Sequence, residues 1–466
     1  MPLTVQPSAA EMRFQAIDPA TGERIASYPT ATPDEVASAL LRCSEAQRSW
    51  ALLSVSDRSG PVRRLGALLR ERAPELAALM TAEMGKPARE AVAEAEKCAW
   101  VCDYYAEDGE RFLAPVPANT DATRSYWTYR PLGVVLGIMP WNFPFWQAVR
   151  YAVPAVVAGN GAVLKHAPSV PGCALALEDL FREAGFPEGL FVNVFADLES
   201  TGALIDHPLV RAVSLTGSVR AGRAVAERAG RNLKKCVLEL GGSDPAVVLG
   251  DADLELAVAS CAQGRFLNAG QSCIAAKRFV VVDAVREEFE ERMSERIRAT
   301  VMGDPRDPAT EIGPMAREDL RDQLHDQVVR SVEAGARLVH GGEVPDRPGA
   351  WYPPTLLADV DPGMPAGSEE LFGPVAVVVP AADEAEAIRI ANDTAFGLGA
   401  SVYTRDVERG ERIAADLLDA GNCFVNGIVK SDPRLPFGGI KDSGYGRELS
   451  PIGILEFTSA KTVWVR

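Results

Sequence analysis

"GVVLGIMPWNFP", residues 133–144, sets an apolar run directly against a rigid turn. The run to Met139 has the length and composition of a short buried strand. Pro140 and Pro144 then bracket Trp141-Asn142-Phe143 and force the backbone into a loop. A helical stretch follows to about residue 158. The same alternation recurs downstream: "AVLK" (162–165), a helix ending near Gly185, "LFVNVF" (190–195), "AVSLT" (212–216) and "KCVLEL" (235–240). Short buried strands separated by helices predict βαβ units and a parallel sheet with helices on both faces. Such sheets bind nucleotides at the carboxyl ends of their strands.

Upstream, residues 32–110 read as helical, opened by the capping-box pattern Thr32-Pro33-Asp34-Glu35. The segment "SYWTYRPLG" near residue 125 is aromatic and β-branched, so it reads as a strand outside the alternating series. The ending "TSAKTVWVR" alternates in the same way and is expected to pair with it, within the chain or across a subunit boundary. After "LELGGSDP" a second α/β series begins near residue 241, with Asp251 as the expected cap of a helix carrying Leu254, Val258 and Cys261. Strands "RFVVV" and "VAVVV" follow.

The bulk numbers exclude several functions. A net charge of −16 disfavours nucleic acid and anionic membranes as partners. No run reaches the roughly 18 apolar residues of a membrane span, and "MPLTVQPSAAEMRF" lacks a leader pattern. The eight cysteines have no disulfide or zinc spacing, and Cys98 and Cys102 read as one-sided helix packing. The four histidines form no ligand motif, so no metal is expected. A cytoplasmic protein is expected.

Five features carry chemistry. Asn142, fixed between prolines, either donates to a developing oxyanion or closes an Asx turn. Lys165 ends a strand where a nucleotide would lie, or is merely solvated. Gly217 and Ser218 of "LTGS" join a strand to a helix N-terminus that either holds a phosphate or simply starts the helix. Glu239, before two glycines, is a general base or an ion-paired carboxylate. Cys273, in "FLNAGQSCIA" (266–275), is a small buried residue or a nucleophile on a turn. Together they supply the parts of thioester chemistry coupled to hydride removal: a nucleophile, an oxyanion donor, a base for water and a dinucleotide site.

The chain resembles the NAD(P)-dependent aldehyde dehydrogenases from about residue 15 to its end. "PWNFP", "LTGS", "LELGG", "NAGQSC", "EELFGP" and "PFGGIKDSGYGRE" carry the resemblance in this order, and "LKHAP", "LELGGSDP" and "CIAAKRF" are most similar to bacterial succinate-semialdehyde dehydrogenases. The resemblance implies an aldehyde dehydrogenase-like α/β fold with two doubly wound domains plus a small β oligomerisation element. Residues 1–115 and 132–240 are expected to bind the nucleotide, 241–445 to be catalytic, and 116–131 with 446–466 to form the oligomerisation element of a homodimer or homotetramer.

It further implies that Cys273 attacks the aldehyde, that Asn142 and the Cys273 N–H hold the oxyanion, and that Glu239 activates the hydrolytic water. Met139, Pro140, Trp141, Lys165, Pro168, Ser169, Gly217, Ser218, Glu370 and Phe372 match cofactor positions. NAD-preferring relatives often carry glutamate where this chain has Pro168. With no carboxylate there to repel a 2′-phosphate, NADP is expected to be accepted as well as NAD, with Ser169 and His166 assisting. Arg150 and Ser431 match positions that bind the substrate's distal carboxylate. A second arginine of some relatives is replaced by Leu267, leaving Arg265 as its nearest counterpart. Ala275 excludes the redox-switch disulfide of other relatives. A dehydrogenase for glutarate semialdehyde or a neutral aldehyde is the alternative, and a non-catalytic binding protein on the same fold the remote one.

Overall fold

The computed structural model of the chain describes residues 14–466, so residues 1–13 of the stretch read for a leader lie outside the described residues. A hairpin of β1 (Phe14–Ile17) and β2 (Arg24–Tyr28) precedes the helical region. There α1 (Pro33–Trp50) starts behind the expected capping box: the Thr32 hydroxyl accepts from the Glu35 N–H, and the Glu35 carboxylate accepts from the Thr32 N–H at 2.8 Å. Three further helices follow, α2 (Val55–Glu71), α3 (Ala73–Met84) and the long α4 (Ala88–Phe112). Cys98 and Cys102 pack in the core on one side of α4. Strands β3 (Val116–Pro117) and β4 (Arg124–Pro131) then leave the body of the molecule.

The first sheet contains β5 (Val134–Met139), β6 (Gly161–His166), β7 (Phe191–Asn193), β8 (Val210–Thr216) and β9 (Lys235–Glu239), all parallel, in the order β9-β8-β5-β6-β7. Their connections are α5 (Pro144–Val157), α6 (Pro171–Glu183), α7 (Leu198–Asp206) and α8 (Val219–Arg231). The chain moves from β5 outward to β7, then returns to the other side of β5. That reversal opens a crevice between the carboxyl ends of β5 and β8. Every residue of α5 is buried. The helix sits close to the sheet because Gly137 of β5 has no side chain: a Cβ there would fall 2.1 Å from the Tyr151 ring. The Tyr151 hydroxyl donates to the Val163 carbonyl at 3.1 Å, fixing the helix rotation that governs its neighbour Arg150.

The second sheet has β10 (Asp244–Val248), β11 (Ala276–Val282), β12 (Arg337–His340), β13 (Thr355–Ala358), β14 (Val375–Ala381), β15 (Gly399–Tyr403) and β16 (Asn422–Val425). Its order is β12-β13-β14-β11-β10-β15-β16, parallel except for β12. One expectation is corrected here. The cap of α9 (Leu254–Phe266) is Asp253, whose carboxylate accepts from Leu256 N–H at 3.2 Å, whereas Asp251 accepts from the Thr404 hydroxyl at 2.8 Å. Leu254, Val258 and Cys261 are buried as expected.

The chain then returns to the first sheet. Strand β17 (Gly444–Tyr445) pairs antiparallel with β9, and the helix Ser450–Glu456 packs on α4 and α5. The boundary read at residue 445 thus falls inside a segment already joined to the first sheet. Strand β18 (Thr458–Val465) pairs with β4 within the same chain, from Thr458 opposite Pro131 to Val465 opposite Arg124.

Candidate active site

The loop after α9 is bent by three successive residues in the left-handed region: Asn268 (φ 56°), Ala269 (φ 52°) and Gly270 (φ 72°). For Asn268 and Ala269 this conformation costs on the order of 1–2 kcal/mol each, so the surroundings must impose it. The Glu90 carboxylate of α4 accepts from Asn268 N–H at 2.8 Å. The Asn268 amide donates to the Asn142 carbonyl at 2.8 Å, and the Gln271 side chain accepts from Ala316 N–H at 2.9 Å. Arg265, fully buried, donates to the carbonyls of Gly270 and Leu371 at 3.2 and 3.0 Å and to that of Gly373. Lys277 donates to the carbonyls of Ser272 and Cys273 at 2.9 and 2.7 Å. The small and polar residues before Cys273 are therefore there to make a sharply bent, heavily anchored turn.

That turn presents Cys273 to a cavity of about 520 Å³. Burial pushes its thiol up to about 12, against the opposing positive charges of Lys277 and Arg150. Asn142, buried at the start of α5, donates one amide hydrogen to the Gln271 carbonyl at 3.0 Å and accepts from Gln147 at 3.1 Å. Its second amide hydrogen and the Cys273 N–H have no protein acceptor among the described residues. Unspent N–H donors are what a developing oxyanion requires.

Glu239 ends β9, with both carboxylate oxygens buried and, among the described residues, without a hydrogen-bond donor. Burial and the neighbouring Glu448 carboxylate hold its pKa well above the usual range. Such a carboxylate is a stronger base when ionised.

The carboxyl ends of β6, β5, β8 and β9 place Lys165, Met139 to Trp141, Gly217 with Ser218, and Glu239 side by side. Ser218 caps α8 and accepts from Ala221 N–H at 3.3 Å. Lys165 is pulled down to about 8 by burial, and the buried Ser169 hydroxyl has no partner among the described residues. Across the crevice Trp141 meets Phe372 edge-on at 5.8 Å. Glu370 accepts from Gly242 N–H at 3.0 Å and lies 3.4 Å from Lys277; a Cβ on Gly241 would collide with it. An unpartnered cation, an unpartnered hydroxyl and a helix N-terminus along one crevice fit a dinucleotide.

Two assisting roles read from the sequence are corrected. His166 is fully buried, with one ring nitrogen 2.9 Å from the Pro144 carbonyl and the other accepting from Ala167 N–H, so it does not reach a 2′-phosphate. Arg265 does not stand in for the arginine replaced by Leu267, because its Nη2 donates to carbonyls behind the turn and the side chain is not among those lining the cavity. Arg150 and Ser431 both line the cavity that contains Cys273. Arg150, however, is ion-paired to buried Glu448 and lies 3.4 Å from the Thr216 hydroxyl. Sequence reasoning missed α4, which contributes Arg89, Glu90, Glu94 and Lys97 to the same wall. The available signal was Glu94, a charge among the apolar positions Ala91, Ala95 and Cys98.

A thiol on a bent turn, unspent N–H donors and a buried carboxylate at the ends of parallel strands are the parts that oxidation of an aldehyde calls for. Residues 5–463 match the model of the aldehyde dehydrogenase family, and the chain belongs to that family. It is 47% identical to the Escherichia coli (strain K12) protein named succinate semialdehyde dehydrogenase (NAD(P)+) Sad, over 96% of this chain and 97% of that one. It is also 47% identical to a succinate-semialdehyde dehydrogenase (NADP(+)) of Deinococcus radiodurans, over 99% and 97%. Among solved structures, the succinic semialdehyde dehydrogenase from Streptococcus pyogenes in complex with NADP+ superposes with a TM-score of 0.95 at 36% identity, covering 97% of this chain and 99% of that one. Among the described residues no helix is long and apolar enough to cross a membrane.

Proposed function

We propose that this enzyme oxidises succinate semialdehyde to succinate, with NADP or NAD as hydride acceptor. The observation that carries the reading is one cavity joining Cys273 to the donors Lys97, Arg150 and Ser431, as an aldehyde with a distal carboxylate requires. Near-full-length similarity to proteins named for this substrate supports it.

Cys273 gives up its proton and adds to the aldehyde carbon, forming a thiohemiacetal. The alkoxide is stabilised by the second Asn142 amide hydrogen and the Cys273 N–H. What a bound dinucleotide supplies is the acceptor for the hydride lost as the thiohemiacetal becomes a thioester. Lys165, Ser169 and the α8 N-terminus with Gly217 and Ser218 would hold its adenosine and phosphates. Trp141, Glu370 and Phe372, with Met139 and Pro140, would hold its nicotinamide end. Glu239 then removes a proton from water, hydroxide adds to the thioester, and the thiolate leaves. Pro168 puts no negative charge beside Lys165, which favours acceptance of a 2′-phosphate. The exposed β4–β18 ribbon, with Trp464 half exposed, is a surface for a second copy, in a cytoplasmic dimer or tetramer.

The test is kcat/KM for succinate semialdehyde against butanal, each with NAD and NADP. A preference for the acid aldehyde of roughly tenfold or more supports the reading, that being the low end for one charged hydrogen bond. The pairing of Arg150 with Glu448 and the aromatic rings of Phe143, Trp146 and Phe437 favour a second reading, a neutral or aromatic aldehyde. Equal rates on both substrates would select it.

A further inference from the structure

Lys277 is the second residue of β11, a strand paired on both sides, and its side chain is 1% exposed. Burying an ammonium is costly unless its hydrogens find acceptors. Here they point back along the chain. One goes to the Ser272 carbonyl at 2.9 Å and one to the Cys273 carbonyl at 2.7 Å, while the Glu370 carboxylate stands 3.4 Å away. The Ser272 carbonyl also accepts from Ala275 N–H at 3.2 Å, so both of its lone pairs are engaged. The Cys273 carbonyl packs against Gly242, where a Cβ would come within 2.8 Å of its oxygen.

The Ser272 carbonyl and the Cys273 N–H belong to one peptide unit. That unit is planar and trans, so the two bonds point in opposite directions and holding one aims the other. Ala275 and Lys277 grip the carbonyl from one side, and the N–H has no protein acceptor among the described residues. A cation on the carbonyl also draws charge out of the amide, which makes the N–H a stronger donor.

We propose that Lys277 is a positioning residue for the oxyanion: by holding the Ser272 carbonyl it aims and polarises the Cys273 N–H that stabilises charge on the substrate's carbonyl oxygen. The inference rests on the reading of Cys273 as nucleophile with its own N–H as an oxyanion donor. Lys277 does not line the cavity, so it acts through the peptide and not by contact with substrate.

The same charge has a second effect. Burial raises the Cys273 thiol, and Lys277 is foremost among the charges that oppose the rise. Loss of Lys277 therefore slows every reaction of the thiolate, and two reagents divide the effects. Iodoacetamide is attacked at a saturated carbon and loses iodide, so no oxyanion forms. p-Nitrophenyl acetate is attacked at its ester carbonyl. The tetrahedral oxyanion then expels p-nitrophenolate and leaves an acetyl thioester on the sulfur.

The experiment measures both rates at one pH on the full-length, dinucleotide-free enzyme, in wild type, Lys277→Met, Lys277→Gln and Cys273→Ser. Lys277→Met is expected to lower the ratio of acylation to alkylation at least roughly tenfold, within the roughly 100- to 1,000-fold cost of losing an oxyanion donor altogether. Lys277→Gln, neutral and one bond shorter, should lower the ratio as well, and it carries the comparison if the Met variant does not fold. Both rates reduced by the same factor would show Lys277 acting on the thiol alone, which overturns the inference and leaves the reading of Cys273 intact. Acylation of Cys273→Ser at the wild-type rate removes that reading and the inference with it.

Discussion

Arg150 of α5 and Glu448 of the returning segment form an ion pair whose side chains are 3% and 1% exposed, in the same compartment as Glu239, the proposed base. The pair sets the charge balance around that base. Glu448 raises the pKa of Glu239, while Arg150 lowers it.

Glu448→Gln removes the like charge beside Glu239 and leaves Arg150 uncompensated. Both changes favour ionised Glu239, so its pKa falls and the acid limb of the kcat profile moves to lower pH. Breaking the buried pair is also expected to cost about 3–5 kcal/mol of stability. A pH–rate profile and a denaturant titration read the two effects. An acid limb that stays in place would show that Glu448 does not act on the base.

Cys273 has its thiol pushed up to about 12 by burial. The thiolate is the reactive form, so inactivation of the dinucleotide-free enzyme by iodoacetamide should accelerate about tenfold per pH unit through pH 9, without a plateau near 8. Cys273→Ser is the blank. A plateau at neutral pH would place a base or cation closer to the sulfur than Lys277 and Arg150.

Pro168→Glu puts a carboxylate at the exposed end of β6, three residues after Lys165. Like-charge contact with a 2′-phosphate is worth several kcal/mol, so kcat/KM with NADP should fall at least roughly tenfold while NAD is retained. Steady-state kinetics with both dinucleotides decide it. An equal loss with both would put residue 168 away from the ribose.

Arg265→Lys keeps the charge but removes the planar guanidinium whose Nη2 reaches the carbonyls of Gly270, Leu371 and Gly373. Turnover of succinate semialdehyde and butanal should fall by the same factor, with a lower melting temperature. Selective loss of the acid aldehyde would instead give Arg265 a place on the substrate.

What the chain makes legible is local. Thr32 and Glu35 are three residues apart, so their capping box is written in the sequence, as are the strand–proline–helix passage at 134–157 and the turn at Gly217 and Ser218. Asp251 and Asp253 show the limit of that reading. Both precede α9, and only the position of Thr404 decides which aspartate is free to cap. Arg150 shows it again, because its partner lies near the far end of the chain. Lys97 was hidden for a related reason: on α4 alone it is one more charge beside Glu96, and only the approach of Ser431 and Trp146 turns it toward the cavity.

The sequence by itself determined the alternation of strands and helices, the turn that carries Cys273 and the candidates for nucleophile, base and oxyanion donor. Each depends on residue type and short-range backbone geometry. Tertiary structure alone decided which charges are already neutralised: Arg150 by Glu448, and Lys97, among the described residues, by no carboxylate. Pairing and burial are properties of groups brought together from distant parts of the chain, and they set both the pKa of the base and the place left for a substrate anion.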